Sequence, residues 1–578
     1  MVFPSFLDRF PFLRPFANAC LYNVSSKLCA KIARVAKDVF RGVSIEWLSL
    51  LLICKMVSPA EKDPPIFKKR NFTMIKSLFL FCSFACFGSP ITLEEKVGQL
   101  LMVHFRGTEG NDDARRLVQG VKVGAIIYYN WANELSSPEQ VAKLSRGLQQ
   151  LAKETANGTP LLIAADQEGG IVSRLSQGGF TVFPGNWAVQ EAGDLRLAQE
   201  AALCMGKEML SVGVNMNLAP VIDVNSNPKN PVIGIRSFGD DPVTVTRYGR
   251  EALKGYQRAG VATTLKHFPG HGDVKKDSHL DLSVVEKSLQ AFQECDLAPF
   301  KALAKEADAV MTAHLLSPID PSTCATFSEK VIRYLRREIG FDGVVITDSL
   351  IMGGVLKIAA SVDQAAIRAL NAGCDLLCLG GRLLEGENKD LELEVADVER
   401  IHRAIVDAVK EGIIPQKRID EAVRRVLDLK SRALCRHSNG SFNRAQHQAV
   451  AEEIAKKAIR GPEIAFPPMP DKKVVFFAPP QVASLSLLAH PLDQLEAASE
   501  ADWLIVFSYN AWKDPAQKEK IDALIKTGRP VVLVATRDPQ DGELFPQVEW
   551  VYRTFSPTAV SIEALLKRLP SFSPIIGN

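Results

Sequence analysis

Fourteen residues, KHFPGHGDVKKDSH at 266–279, hold three histidines and two aspartates around a Pro-Gly-His-Gly turn. Imidazole has an ordinary pKa of about 6.5, so a histidine beside a carboxylate can give and then take a proton within one reaction cycle. Asp277 and His279 have that spacing. If their loop brings the side chains together, the carboxylate would set the imidazole tautomer and stabilise its cation. A second candidate is Asp348, which ends the apolar run in GVVITDSL at 343–350. A carboxylate delivered there is a competent nucleophile. His267, His271, Asp273, Asp277 and His279 could also be read as metal ligands. His267 and His271 have the i, i+4 spacing of a helical ligand pair, but Pro269-Gly270 between them forbids a regular helix. No metal is expected.

These groups need rigid elements to hold them. The run VATTL at 261–265, ahead of Lys266, is short, apolar and β-branched, as a buried strand is. Similar runs recur at 99–105, 123–129, 160–165, 215–222, 261–266, 309–314, 343–347 and 375–379. Segments with apolar residues at three- and four-residue spacing separate most of them, at 138–154, 195–212, 243–259, 288–306 and 329–339. Eight strand–helix units predict an α/β fold, a (β/α)8 barrel of the TIM type, over 91–435. In such barrels the reacting groups sit at the C-terminal strand ends. Asp166-Gln167-Glu168 end the third run, Asp223 the fourth, Lys266-His267 the fifth, His314 the sixth and Asp348 the seventh. A linker and helix are expected over 436–460. Further strands at 473–477, 503–508, 530–535 and 548–554 predict a smaller α/β sandwich domain over 461–578.

The 578 residues suffice for two domains with sizeable cores. Residues 1–73 carry a net +7 within an overall +3, which leaves the remainder at about −4 and without a nucleic-acid footprint. From Met74 the chain reads MIKSLFLFCSFACFGSP, with the layout of a secretory signal peptide and a run too short to span a bilayer. Residues 1–73 are therefore expected to be a non-domain leader or a mis-assigned start, and 74–90 a signal-like segment. Use of that segment implies export to the periplasm or cell envelope; a cytoplasmic location is the alternative. Cys86 follows Ser83-Phe84-Ala85, a poor lipoprotein cleavage site, so lipid anchoring there is a minor alternative. Five of the 11 cysteines precede residue 87, and the other six are scattered without a CxxC pair, which gives neither a disulfide framework nor a zinc site.

With these residues in view, the chain resembles glycoside hydrolase family 3, in its β-N-acetylhexosaminidase branch, from about Leu93 to Leu569. The motifs that carry the resemblance are EEKVGQLLM at 94–102, DQEGGIVSRL at 166–175, GIRSFGDDP at 234–242, KHFPGHG at 266–272, DSH at 277–279 and ITDSLIMGG at 346–354. The resemblance implies a retaining double displacement on terminal N-acetylglucosamine, in bacterial members on cell-wall muropeptides, with no metal or organic cofactor. It implies Asp348 as nucleophile, His279 as general acid/base with Asp277 as its partner, and Asp166, Arg174, Arg236, Lys266 and His267 as sugar-holding residues. Ser349 departs from the pattern, since relatives often carry a second aspartate after the nucleophile.

The residues suit that chemistry. Retention needs one group attacking the anomeric carbon and another protonating the leaving oxygen. Lys266 with Arg174 or Arg236 nearby would keep Asp348 ionised. Quieter roles stand beside these: a turn cap for Asp277, a structural turn residue for His271, a core residue or pocket floor for His314, a surface ion pair for Arg236. Glu168 reads as packing or turn formation, and Asp223 is left unassigned. The competing functions are a β-N-acetylglucosaminide phosphorylase using the same site, another β-glycosidase of the family that the chain resembles and, more remotely, a non-catalytic glycan-binding protein; the chain does not settle oligomeric state.

Overall fold

The computed structural model describes residues 91–277, 281–383, 389–435, 442–462, 472–483, 489–569 and 573–574. The leader, the signal-like segment with Cys86, and His279 lie outside the described residues. Eight strands follow in order: Leu101–Val103 (β1), Ala125–Ile127 (β2), Leu162–Ala165 (β3), Met216–Asn217 (β4), Ala262–Phe268 (β5), Ala309–Thr312 (β6), Val344–Thr347 (β7) and Leu377–Cys378 (β8). From β1 to β7 each pairs in parallel with its neighbour in sequence, and β8 pairs with β1 through Leu101↔Leu377 and Met102↔Cys378. A bridge between Ile346 and Leu376 closes the ring. All residues of these strands are buried, which is why each reads as an apolar run without alternation. The barrel expected from the sequence is the one observed.

The outer helices are set by local signals. The helix Pro138–Lys153 starts at Ser137, whose side chain accepts from the Gln140 N–H, with proline in the first turn. Its buried Val141, Leu144, Leu148 and Leu151 form one stripe against the barrel. The helix Pro242–Ala259 repeats the device with Asp241, which accepts from the Thr244 N–H at 2.7 Å. Losing such a cap costs about 1 kcal/mol, whereas truncating one buried leucine of the stripe costs about 2–5 kcal/mol. Caps therefore set where these helices begin, and burial sets whether they form.

The linker helix runs Arg444–Ala458. Its buried His447 meets Glu208 of the barrel helix Leu195–Ser211 at 2.7 Å. Beyond it lies a parallel sheet of Lys473–Ala478 (β9), Ala489–Pro491 (β10), Trp503–Ser508 (β11), Val531–Ala535 (β12), Trp550–Arg553 (β13) and Ser573–Pro574 (β14), in the order β10-β9-β11-β12-β13 with β14 beside β9. Alternate residues of β9 face two separate cores: Val474, Phe476 and Ala478 enter one, Val475 and Phe477 the other. Both faces are covered, as in an α/β sandwich.

Candidate active site

The C-terminal ends of β3, β4, β5 and β7 converge on one cluster of charges. Lys266, in β5, is fully buried, with Nζ 2.8 Å from Asp166 Oδ1 and 2.6 Å from Glu168 Oε1. Asp166 and Glu168 lie two residues apart after β3, so the strand's period of two sends both to one side. Arg236 forms a two-pronged pair with Glu168, Nε to Oε2 at 2.9 Å and Nη2 to Oε1 at 2.8 Å. Arg174 reaches Asp166 Oδ2 at 3.2 Å. Desolvating an ion costs several kcal/mol, while one pair at about 4 Å returns roughly 4 kcal/mol in a protein-like dielectric. A single carboxylate would leave Lys266 near balance; two hold it charged.

The protonation pattern follows from this packing. Burial alone would raise the Asp166 carboxyl, but Lys266 and Arg174 outweigh it and hold it well below the usual carboxylate range. Burial likewise opposes ionisation of Glu168, and Arg236 with Lys266 reverses the direction. Burial alone would lower Lys266; Asp166 and Glu168 raise it instead. The cluster therefore holds three cations and two carboxylates in fixed charge states.

Asp223 organises the turn that follows. Its Oδ2 lies 2.6 Å from His267 Nδ1, and its Oδ1 accepts the backbone N–H groups of His267 at 3.1 Å and His271 at 2.7 Å. A carboxylate can only accept, so Nδ1 of His267 carries the proton and Nε2 is left to accept from Arg236 Nη2 at 3.3 Å. The glycines of the Pro-Gly-His-Gly turn are steric requirements. A Cβ on Gly272 would meet the Val224 carbonyl oxygen at 1.6 Å, and Gly270 has φ +131° with Asp296 Cβ 2.7 Å from where its own would lie. His271 is buried beside His267, and burial first, then the neighbouring imidazole, lowers its pKa to about 4.

Asp348 leaves β7 half-buried. The Ser349 N–H donates to its Oδ1 at 2.8 Å, and its own N–H bonds the Thr312 carbonyl of β6 at 3.2 Å. The next peptide is held from two sides: Ser349 Oγ donates to the Gly380 carbonyl at 2.6 Å, and His314 Nε2 donates to the Ser349 carbonyl at 3.0 Å. His314 is completely buried, with Nδ1 2.9 Å from the Thr326 hydroxyl, so it supports the peptide behind Asp348 rather than lining a floor. Buried Tyr129 sits where the charges of Asp166, Arg174 and Asp348 all reach it. Cys378 senses Asp348, Asp166 and Lys266 together, and burial foremost pushes its thiol up to about 12. Asp348 thus belongs to the same neighbourhood as the Lys266 cluster.

The loop after β5 bridges this neighbourhood. The Asp277 carbonyl accepts from the Asp281 N–H at 3.0 Å, and Asp281 pairs with Lys276 at 2.8 Å and with Lys357, beyond β7, at 3.1 Å. Ser283–Val284 then pairs in parallel with Leu315–Leu316, which follows β6. Asp277 is therefore carried on a loop tied to the elements that follow β6 and β7.

Of the eight site residues expected from the sequence, Asp166, Arg174, Arg236, Lys266 and His267 form one bonded network, Asp348 adjoins it, Asp277 lies on the bridging loop, and His279 falls outside the described residues. One expectation needs correction. Glu168 is neither packing nor a turn former: it is the fully buried anion between Lys266 and Arg236. The quieter alternative for Arg236, a surface ion pair, falls away too, since its partner Glu168 is itself buried. Asp223, left unassigned, is the acceptor that holds His267 and the turn. The period of two from Asp166 was the available signal for Glu168. No local signal marks Asp223, because its partners lie 44 and 48 residues away.

Known proteins share this arrangement of chain. Residues 92–429 match the family model for the glycosyl hydrolase family 3 N-terminal domain. Beta-hexosaminidase A of Pseudoalteromonas piscicida is 32% identical over 413 residues, covering 64% of this chain and 67% of that protein. A beta-hexosaminidase of Pseudomonas aeruginosa is 35% identical over 306 residues, 52% of this chain and 86% of its own. The solved glycoside hydrolase family 3 beta-N-acetylglucosaminidase of Paenibacillus sp. str. FPU-7 superposes with a TM-score of 0.75 at 35% identity, covering 84% of this chain and 99% of the other. A family match across more than half the chain, with the barrel and its charged strand ends in place, makes this protein a member of glycosyl hydrolase family 3.

Proposed function

We propose that this glycoside hydrolase is a retaining exo-β-N-acetylglucosaminidase that removes terminal N-acetylglucosamine from cell-wall muropeptides. The observation that carries the reading is a half-buried Asp348 at the end of β7 in one electrostatic neighbourhood with Asp166, Lys266 and Arg174, of which Arg174 keeps 28% of its side chain exposed. Fixed charges beside Asp348 suit the hydroxyls and acetamido group of one sugar, held in a single pose. The half-buried Asp348 carboxylate can then attack the anomeric carbon, forming a glycosyl ester as the glycosidic bond breaks. His279 gives its proton to the departing oxygen. It then takes a proton from water as the water oxygen attacks the same carbon and frees Asp348. Asp277 orients the imidazole and stabilises its cation. The names of the matching beta-hexosaminidases and of the beta-N-acetylglucosaminidase structure support the choice of sugar. Export by way of the 74–90 segment belongs to the same proposal, and fractionation of cells producing the protein tests it.

The deciding measurement is release of nitrophenol from 4-nitrophenyl N-acetyl-β-glucosaminide, with the matching β-glucoside alongside. Turnover of the acetamido sugar alone is expected. Turnover of the glucoside alone would discard the substrate, and silence on both from folded protein would overturn the assignment.

A further inference from the structure

A cavity of about 700 Å³ opens between the barrel and the C-terminal module, within the range of small-molecule sites. Its barrel walls are the loops after β4 and β5, the same two that carry Asp223 and His271. Its far wall is Trp512 and Lys513, which follow β11. The two sides are tied together, since Gln540 Nε2 donates to the Pro228 carbonyl at 2.8 Å. Trp512 is held at its edge: Nε1 donates to Asp538 Oδ2 at 3.0 Å and its backbone N–H to Asp541 Oδ1 at 3.0 Å. Opposite it, Val284 is 46% exposed, unusual for an aliphatic residue in a charged loop.

The charges of this groove are of two kinds. Lys275 is spent on Glu286 at 2.5 Å, and Asp273, the second carboxylate of the lining, is held by Lys287 from behind at 3.7 Å. Lys229 and Lys513, one on each side, make no ion pair among the described residues and are exposed. An edge-fixed indole with a partly open face suits the apolar face of a sugar ring, and two unspent ammonium groups suit a carboxylate. An exo-acting hydrolase keeps only the terminal sugar at its catalytic groups, so the rest of the substrate must lie outside, along an adjoining surface.

We infer that this groove binds the leaving-group side of the substrate as an anionic sugar, its ring on Trp512 and its carboxylate between Lys229 and Lys513. The inference rests on the exo-hydrolase reading for the direction in which the substrate runs. Binding is tested separately from turnover, by calorimetry on the full chain carrying Asp348→Ala. The probes are N-acetylglucosaminyl-β-1,4-N-acetylmuramic acid and the same disaccharide with its carboxylate converted to the methylamide. The acid is expected to bind about fivefold more tightly than the amide at low salt. That preference should vanish in Lys229→Ala/Lys513→Ala, and Trp512→Leu should weaken both probes alike. Equal binding of acid and amide, binding of neither, or a preference that survives the double lysine variant would overturn the inference. Nitrophenyl glycoside turnover by the unsubstituted protein reports on the hydrolase reading independently, because that substrate has no second sugar.

Discussion

At the N-terminal end of the barrel, Asp375 is wholly buried where β8 begins, among Arg336 at 2.5 Å, Arg418, and Arg425 at 3.3 Å. At the other end, Lys266 is buried between Asp166 and Glu168. Both ends bury one charge and surround it with the opposite sign, and the physics of the two is the same: an ion removed from water needs more than one partner. They differ in what stands beside them. Asp375 also accepts the Val345 N–H at 3.0 Å, and its arginines come from the segments Tyr334–Glu338 and Gln416–Cys435, so every group ties helix to strand. Around Lys266, Arg174 keeps 28% of its side chain exposed, against 12–16% for the three arginines on Asp375, and the half-buried Asp348 adjoins the cluster. A charge cluster reads as a site when a half-buried carboxylate at a strand end adjoins it, and as a rivet when every member ties helix to strand.

The largest expected break in that comparison is Asp348→Ala. Turnover of the nitrophenyl glycoside should fall by about 10⁴-fold or more, with the thermal midpoint almost unmoved. Activity near that of the unsubstituted protein would remove Asp348 from the chemistry. Next is Lys266→Met, which leaves Asp166 and Glu168 buried without their cation. A loss of about 3–5 kcal/mol of stability is expected together with loss of activity, because at this end the buried ion both holds the frame and serves the site. Denaturant midpoints that match the unsubstituted protein would mean Lys266 does not carry the cluster.

Asp375→Asn should cost about 3 kcal/mol of stability in the same assay, while KM of the surviving folded enzyme stays the same. A changed KM would show that the two ends are coupled. His279→Ala separates the proton donor from the nucleophile. Substrates with good leaving groups should lose less activity than natural disaccharides, by about 10²-fold, and equal losses would mean His279 is not the acid.

The smallest effect is a slope. His271 titrates near 4 when folded and near the ordinary 6.5 when unfolded. The unfolded chain therefore binds more protons between those values, and stability falls as pH drops through that window, by at most about 1.4 kcal/mol per pH unit from this group. His271→Gln should flatten the slope by that amount; an unchanged slope in urea titrations at pH 6.5 and 4.5 would show that His271 is not the group responsible. The depressed carboxyls of Asp166 and Glu168 act in the same direction lower down: their contribution is complete above the ordinary carboxylate range of about 4 and is lost as pH falls below it.

Much of the scaffold was legible because of how it is buried. A parallel barrel strand is covered on both faces, so β3, β5 and β7 appear as uninterrupted apolar runs, and their polar ends stand out by contrast. The strand Ala489–Pro491 escaped notice since Ala-His-Pro offers neither an apolar run nor alternation. The long helices from 138, 195 and 242 were visible through caps and spacing, while 288–306 broke into the shorter helices Leu289–Glu294 and Ala298–Leu303 and a turn of tighter helix. Pro299 at the head of the second piece accounts for the break.

By itself the sequence determined the number of strand–helix units, the strand ends at which ionisable groups gather, and the glycines without which the turn after β5 could not approach Val224. These are local properties, set by burial period and by steric volume within a few residues. Only the tertiary structure decided which charge meets which. Lys266 and Asp166 are 100 residues apart, Arg236 and Glu168 are 68, and Gln540 reaches Pro228 across 312. Chain position carries no record of such pairings, because the sign and placement of a buried charge matter only once the barrel has closed around it.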